Sequence, residues 1–211
     1  TLDFTMKFLL AHALRSEAGL IKQHYPQAQT LSKFAGIDLI SLSSRLDLLR
    51  TGMGLNHVRS ALSQLSDLET YSGIIHFGVS GSLANELEIQ QIIQGKQFLC
   101  DGKATLTPPL IQTSLIKDIC EISFFTSITP ITDEVSRQAA KSCGGDAVDM
   151  ESYAVAEYCI QTKTPLLSLR CISDRAGAST PEDFKTHYKR ASDKLQTFIL
   201  EQIVKELKFP A

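Results

Sequence analysis

Apolar runs and segments of helical spacing alternate along most of the chain. Predominantly apolar runs at 8–11, 73–77 and 166–172 predict strands that are covered on both faces, because such strands have no solvent-facing side. The segment 31–49 shows short alternating runs instead, which predict antiparallel strands joined by hairpins. Further strands are expected at 89–93, 97–100 and 121–126.

Helices are predicted between these strands. The expected helices cover residues 15–24, 56–68, 133–142, a segment that begins at Met150 or Glu151, and a segment that follows Thr180 as its N-cap. Gly144 and Gly145 would stop the third helix, and Pro181 suits the first turn of the last one. The pattern predicts an α/β fold with a mixed, partly antiparallel sheet and helices on its faces.

Length and charge narrow the class of protein. The 211 residues suit one domain over 1–211, in which residues 1–5 precede a plausible start at Met6 and are interpreted as a possible extension. The net charge is −2, and no run is long enough to span a membrane, so neither nucleic acid nor a membrane is an expected partner. Five cysteines without C-x-x-C spacing, mostly in apolar surroundings, predict reduced thiols in a cytoplasmic protein.

Several common kinds of site are excluded by the motifs. The chain has neither a G-x-x-x-x-G-K-[ST] phosphate loop nor a G-x-G-x-x-G after a strand. The five histidines lack metal-ligand spacing, so no metal is expected. Ser80 lies in a G-V-S-G-S segment that lacks the final glycine of a nucleophile elbow, which argues against a Ser-His-Asp hydrolase.

Acidic side chains follow several of the predicted strands. Glu17 comes shortly after the run 8–11, Glu151 follows a short apolar segment, and Asp174 follows the run 166–172. Open α/β sheets place their ligand sites at the carboxyl ends of strands. We therefore expect these carboxylates to serve one site, in which one stabilises charge and another carries a proton.

The segments around these acids resemble those of the purine nucleoside phosphorylase and nucleosidase superfamily, most closely methylthioadenosine/S-adenosylhomocysteine nucleosidases. The matching segments, in the family's order, are MKFLLAHALRSEAGLI, LLRTGMGLNHV, GVSGSLANELEIQQII, AVDMESYAVAEYC and PLLSLRCISDRAG. V-D-M-E-S and R-x-I-S-D are the specific parts. The resemblance extends over nearly the whole chain and implies a three-layer domain with a partly barrel-like sheet.

The resemblance implies roles for the residues that would hold a purine nucleoside. Asp174 would donate a proton toward purine N7, and Ser173 would orient its carboxyl group. Glu151 would accept hydrogen bonds from the ribose hydroxyls, and Met150 would pack under the sugar. The chemistry supports these residue types, because the oxocarbenium-like state is stabilised by an anion and the departing base by a proton.

The resemblance also implies roles beside the nucleophile. Glu17 would hold and deprotonate the attacking water, and Arg170 would lie near it. Nucleosidases commonly have G-S-A-G where this chain has Gly78-Val79-Ser80-Gly81, so Val79 replaces the hydroxyl that would touch the nucleophile. Ser80 and Gly81 are candidate substrate contacts, and Ser80 compensates for Val79 only if the loop is shifted.

Each acidic residue also has a purely structural interpretation. Glu151 would be an acid in the first turn of a helix, favoured by the helix dipole. Asp174 would cap a turn, and Glu17 would be solvated on a surface helix. Met150 would fill the core, and His76 would be a core histidine with its hydrogen bonds satisfied. The joint occurrence of these residues in the family's order favours the functional interpretation.

Three functions remain open at this point. Phosphorylases of the superfamily hold phosphate with added arginines and a glycine-rich loop with a G-D-P-x-R pattern, whereas this chain has Glu17, which would repel phosphate. Arg15 keeps the phosphorylase alternative open, since it could face the pocket. A nucleoside-binding protein without turnover is the third possibility, and no cofactor is needed in any of them.

The substrate and the assembly follow only from the resemblance. Methylthioadenosine and S-adenosylhomocysteine are the leading candidates, which would place the enzyme in methionine salvage, and futalosine-type nucleosides are runners-up. The family's purine-facing G-D-x-F pattern is absent from 125–131, and the stretch 102–120 is short, so the contacts to the base and the 5′ substituent stay unassigned. Family members form homodimers or larger assemblies, so a homo-oligomer is expected.

Overall fold

The computed structural model describes residues 6–34, 37–65, 71–112 and 118–205. In this part of the chain, nine strands form one sheet. The strands are β1 (Phe8–His12), β2 (Gln29–Phe34), β3 (Ile37–Ser43), β4 (Leu46–Arg50), β5 (Gly73–Ser82), β6 (Ile92–Cys100), β7 (Cys120–Thr126), β8 (Ala147–Asp149) and β9 (Leu166–Asp174).

The strand order closes part of this sheet into a ring. The order is β2-β3-β4-β1-β5-β8-β7-β6-β9, and β9 pairs again with β5. Strands β5, β8, β7, β6 and β9 therefore form a closed barrel, from which β1 to β4 extend as an open sheet. β1 is parallel to β4 and β5, whereas β2, β3 and β4 are antiparallel neighbours. The mixed, partly barrel-like sheet that we predicted is confirmed.

Helices cover both faces of the sheet. They are a 3₁₀ turn (Arg15–Ala18), α1 (Gly19–His24), α2 (Leu55–Leu65), α3 (Glu134–Ser142), α4 (Ser152–Thr162), α5 (Thr180–Phe198) and a π-helical turn (Ile199–Val204). α2 and α4 pack on one face in a core with Leu9 and Ile74. α1 and α5 pack on the other with Leu10 and Ile75, so α/β packing buries apolar side chains on both sides of the same strands.

Three predicted elements differ from the structure. β5 continues five residues beyond Phe77, because residues up to Ser82 pair with β9 and β8. The two strands expected at 89–93 and 97–100 are one strand, β6, whose pairing with β7 shifts between Gly95 and Gln97. The N-cap of α5 is Ser179 rather than Thr180.

Other expectations hold or lie outside the described residues. The glycine turn at 51–54 is present, with positive φ at Gly52 and Gly54, and α3 ends before Gly144, which also has a positive φ. The end of the predicted helix 56–68 and the segment 1–5 are not among the described residues. All five cysteines are free, and Cys120 and Cys143 are exposed.

Candidate active site

The candidate site surrounds residues 78–81 of β5. β1 and β9 flank β5 and run parallel to it, so the segments that follow β1 and end β9 lie beside these residues. β8 runs antiparallel to β5, with Val148 opposite Gly81, so Asp149 and Glu151 arrive from the opposite direction. The carboxylates of Glu17 and Asp174 thereby lie against this stretch of strand, and that of Glu151 is near enough for its charge to interact with that of Glu17.

Glu17 lies in the 3₁₀ turn that follows β1 and is 4% exposed. Its Oε2 accepts hydrogen bonds from the backbone N–H groups of Ala13 (3.1 Å) and Leu14 (2.8 Å), and its Oε1 accepts one from Val79 in β5 (3.3 Å). Burial raises the pKa of Glu17, while these donors and the charge of Arg170 act in the opposite direction. The interpretation of Glu17 as a solvated residue is wrong.

Glu151 is the residue that precedes α4, and it is 7% exposed. Its Oε1 accepts a hydrogen bond from the backbone N–H of Gly54 at 2.8 Å, so the glycine turn after β4 holds the carboxylate. Burial, and then the negative charge of Asp149, raise the pKa of Glu151 to about 7. Its side chain makes no capping hydrogen bond to α4, so the simple helix-dipole interpretation does not account for it.

Arg170 forms a buried ion pair with Asp149. It is 1% exposed, and its Nη2 donates to Asp149 Oδ2 at 2.8 Å and to the Ser152 hydroxyl at 3.0 Å. The same nitrogen lies 3.0 Å from the ring nitrogens of His76, whose pKa is held well below its usual value by burial and then by the Arg170 charge. The positive charge of Arg170 still lowers the pKa of Glu17 and stabilises that carboxylate across the site.

Asp174 ends β9 and is 5% exposed. Its Oδ2 accepts from the Ser173 hydroxyl at 2.8 Å, and its Oδ1 accepts from the Ala176 backbone N–H at 2.9 Å and the Thr180 hydroxyl at 3.3 Å. Burial raises the pKa of Asp174 and outweighs these donors, which favour the anion. Ser173 therefore contacts this carboxyl group directly, and Asp174 also caps the turn through the Ala176 N–H.

The remaining predicted residues occupy different positions around the site. Ser80 is buried, and its hydroxyl has no hydrogen-bond partner among the described residues. Val79 is half-buried and packs toward the core beneath α1 and α5. Met150 is half-buried beside Glu151. Arg15 is exposed, and its charge acts on Lys22 and Asp38, away from the carboxylates.

The sequence interpretation gave no role to Asp149, and it gave Thr180 only the role of a helix N-cap. Asp149 accepts hydrogen bonds from Arg170, the Ser152 hydroxyl and the Thr126 hydroxyl (3.0 Å), so it joins β7, β8, β9 and α4. A signal for it was present, because a buried arginine in an apolar strand needs an acidic partner. Thr180 donates to Asp174 from the start of α5, a contact that sequence spacing alone does not reveal.

Neither a metal site nor a membrane-spanning helix lies within the described ranges. No group of three histidine, cysteine or acidic side chains is placed to hold a metal ion in these ranges. Over the same part of the chain, none of the helices is both long and apolar enough to cross a bilayer.

Known proteins share both sequence and fold with this chain. A model of the Phosphorylase superfamily matches residues 117–205. A 5′-methylthioadenosine/S-adenosylhomocysteine nucleosidase from Tolumonas auensis is 21% identical over 94% of this chain and 99% of its own length. One from Thermotoga maritima is 29% identical, but the match spans 56% of this chain and about half (51%) of that relative.

Solved structures extend the likeness to the whole fold. A 5′-methylthioadenosine/S-adenosylhomocysteine nucleosidase from Helicobacter pylori superposes with a TM-score of 0.87 and 16% identity, covering 96% of this chain and 100% of its own. A futalosine hydrolase from the same organism superposes with a TM-score of 0.86 and 17% identity, covering 96% of this chain and 98% of its own. The resemblance of this chain to the purine nucleoside phosphorylase and nucleosidase superfamily is therefore confirmed, in sequence over its C-terminal part and in fold over nearly its whole length.

Proposed function

We propose that the protein is a purine nucleosidase that hydrolyses the N-glycosidic bond of a nucleoside such as 5′-methylthioadenosine or S-adenosylhomocysteine and releases adenine. The observation that carries this proposal is the burial of three carboxylates in one region: Glu17 and Asp174 lie against residues 78–81 of β5, and the charge of Glu151 interacts with that of Glu17. Burying acids away from solvent is unfavourable unless they are paired or used, and one cation, Arg170, serves this region.

Asp174 acts in this proposal as the general acid for the departing purine. Its raised pKa favours the protonated form of the carboxyl group, which can donate its proton to the ring nitrogen. Ser173 and Thr180 hold the carboxyl group in one orientation, with Ser173 in turn directed at the Ser80 carbonyl at 3.3 Å. Proton transfer makes the base a neutral leaving group, as in other glycoside cleavages.

Glu151 and Met150 bind the ribose. The Glu151 carboxylate accepts hydrogen bonds from the sugar hydroxyls and stabilises positive charge that develops on the ring. The Gly54 N–H donates to Oε1 of this carboxylate at 2.8 Å, and the Met150 N–H donates to Oε2 at 3.3 Å, so the backbone fixes both oxygens. The hydroxyl of Ser80 and the backbone of Gly81 are further proposed substrate contacts, because this hydroxyl has no hydrogen-bond partner in the part of the chain that the structure describes.

Glu17 holds and deprotonates the attacking water. Its carboxylate occupies backbone N–H groups of Ala13, Leu14 and Val79, which are the donors that an anionic nucleophile would otherwise use. A phosphate ion would meet the negative charge of Glu17 there, and the exposed Arg15 is not placed to offset it. The geometry therefore favours water over phosphate, and the charge of Arg170 offsets part of the rise in the pKa of Glu17 that burial causes.

A futalosine-type nucleoside is the second candidate substrate. The observation that favours it is the likeness to the futalosine hydrolase, whose TM-score is nearly the same as that of the nucleosidase. The two substrates share a purine and a ribose, so the same three carboxylates serve both reactions. Their 5′ substituents differ, and these would lie outside the contacts described above.

The proposal is tested by measuring free base release from both nucleosides in phosphate-free buffer. We expect adenine and free methylthioribose from methylthioadenosine, or the corresponding base and sugar from futalosine. Release that begins only after phosphate is added would identify a phosphorylase. Tight binding of a nucleoside without release of base would show a binding protein and contradict the proposal.

The setting of this reaction is also part of the proposal. We place the enzyme in the cytoplasm, as one domain over 1–211 that works in methionine salvage as a homodimer or larger assembly. The likeness along almost the whole length of two relatives supports the single domain. The steps assigned to the acids use no cofactor, since protons and water are the only species they transfer.

A further inference from the structure

Two glycines of β5 lie directly against two of the carboxylates. Gly78 is opposite Arg170 in β9, and Gly81 is opposite Asp174. Between them the register shifts, because Ser80 pairs with Ile172 and Gly81 with Asp174, which leaves Ser173 as an extra residue in β9. Both glycines have ordinary backbone angles, since neither is among the glycines with positive φ. Backbone freedom therefore does not explain why glycine is present at either position.

Space explains Gly78. A Cβ atom added at Gly78 would lie 2.8 Å from Glu17 Oε1, a distance too short for a carbon and an oxygen that are not bonded. Displacing the carboxylate is unfavourable, because Oε1 accepts a hydrogen bond from the Val79 N–H at 3.3 Å and a shift away from Gly78 lengthens that bond. Any side chain at position 78 therefore moves Glu17 Oε1 away from the Val79 N–H.

The same argument applies to Gly81 and Asp174. A Cβ at Gly81 would lie 2.7 Å from Asp174 Oδ1 and 2.9 Å from the Ala176 Cβ. Oδ1 is the oxygen that accepts from the Ala176 backbone and from Thr180, so its position is fixed from two sides. A methyl group at position 81 would displace the carboxyl group from both donors.

We propose that Gly78 and Gly81 are positioning residues of the active site, whose missing side chains leave the space that the Glu17 and Asp174 carboxylates occupy. The inference rests on the proposed function only for the catalytic roles of Glu17 and Asp174. It explains why the segment 78–81 begins and ends with glycine, three positions apart, which is about 10 Å along a strand. That spacing separates the acid beside the nucleophile from the acid beside the purine.

A double-mutant cycle tests this inference. The proteins are the wild type, Gly78→Ala, Glu17→Ala and the double variant, compared in melting temperature and in kcat and KM for adenine release. We expect Gly78→Ala to lower the melting temperature, and to lower kcat about a hundredfold with KM little changed, because it displaces a catalytic group by a fraction of an ångström to an ångström. In the Glu17→Ala background, adding Gly78→Ala should change neither the melting temperature nor the residual rate.

Gly73→Ala is the matched control in the same strand. A Cβ at Gly73 would lie 2.9 Å from Ile111 Cδ1 and 2.9 Å from Phe8 Cε1, so the clash is similar but meets only apolar side chains. We expect this variant to melt at a lower temperature with kcat unchanged. A second cycle pairs Gly81→Ala with Asp174→Ala. Gly81→Ala should lower the melting temperature less in the Asp174→Ala background than in the wild type, and the contact of the new Cβ with the Ala176 Cβ at 2.9 Å accounts for the loss that remains.

Additive losses of melting temperature in the first cycle would overturn the inference for Gly78, and additive losses in the second would overturn it for Gly81. If Gly78→Ala alone does not fold, the double variant with Glu17→Ala is expected to fold. Failure of the double variant to fold would also overturn the inference for Gly78. The melting temperatures are informative even if no nucleoside is cleaved. Failure of the proposed function is therefore distinguishable from failure of this inference.

Discussion

Replacing Glu151 by glutamine should change how the stability of the protein depends on pH. Burial and the neighbouring Asp149 raise the pKa of Glu151 from 4.5 to about 7 in the folded protein. Between these two values the folded state binds a proton that the unfolded state has released. The free energy of unfolding therefore falls as pH rises through this window, and the loss is complete above the folded-state pKa.

The magnitude follows from the size of the shift. Each pKa unit corresponds to about 1.4 kcal/mol, so the full shift is worth about 3 kcal/mol, of which about 2–3 kcal/mol is lost between pH 5 and pH 8. Glutamine has nearly the same shape, and its carbonyl oxygen can still accept the hydrogen bond from the Gly54 N–H that now measures 2.8 Å. The variant lacks the titration and the hydrogen bond from the Met150 N–H to Oε2 at 3.3 Å, and the loss of that bond does not depend on pH.

Thermal unfolding of both proteins at pH 5 and pH 8 measures this difference. For a chain of this length about 2–4 °C corresponds to 1 kcal/mol, so the wild type should lose roughly 5–10 °C more than Glu151→Gln between the two pH values. The other carboxylates titrate in both proteins and largely cancel in the comparison. Equal losses in the two proteins would show that Glu151 is ionised at its ordinary pKa and would refute the reasoning.

Further predictions concern the general acid, the buried ion pair and the nucleophile. Asp174→Asn should lower kcat at least about a hundredfold with an unchanged circular dichroism spectrum, and wild-type activity would contradict its role as a general acid. Arg170→Met should lower the free energy of unfolding by about 3–5 kcal/mol, because it leaves Asp149 buried and unpaired. The exposed pair of Arg59 and Glu157 is the control, where Arg59→Met should cost less than about 1 kcal/mol in urea unfolding, and similar losses in both variants would refute this account.

The sequence predicted the parts of the fold that depend on local pattern. The apolar runs of β1, β5 and β9 and the glycine stop after α3 are in place, because strands covered on both faces and helix C-termini have local signatures. The three acids were found from their positions after strands and from the family's order. Their burial supports the functional interpretation over the structural one.

Long-range pairing accounts for what the sequence did not reveal. β8 is only three residues long, so nothing in its pattern shows that it runs antiparallel to β5. The extra residue Ser173 in β9 is visible only from the register of two paired strands. Asp149 stood in the quoted motif, but its role depends on Arg170, which is 21 positions away in the chain. These contacts are set by tertiary structure rather than by local propensity.

The identity of the nucleophile is the central claim, and isotope labelling tests it most directly. The reaction is run with methylthioadenosine in water enriched in oxygen-18, with an excess of unlabelled phosphate present, and the sugar product is analysed by mass spectrometry. The account predicts free methylthioribose, formed at a rate that phosphate does not change. The sugar carries one labelled oxygen at its anomeric carbon when the reaction is stopped before that oxygen exchanges with the solvent. An unlabelled sugar phosphate as the product would contradict it.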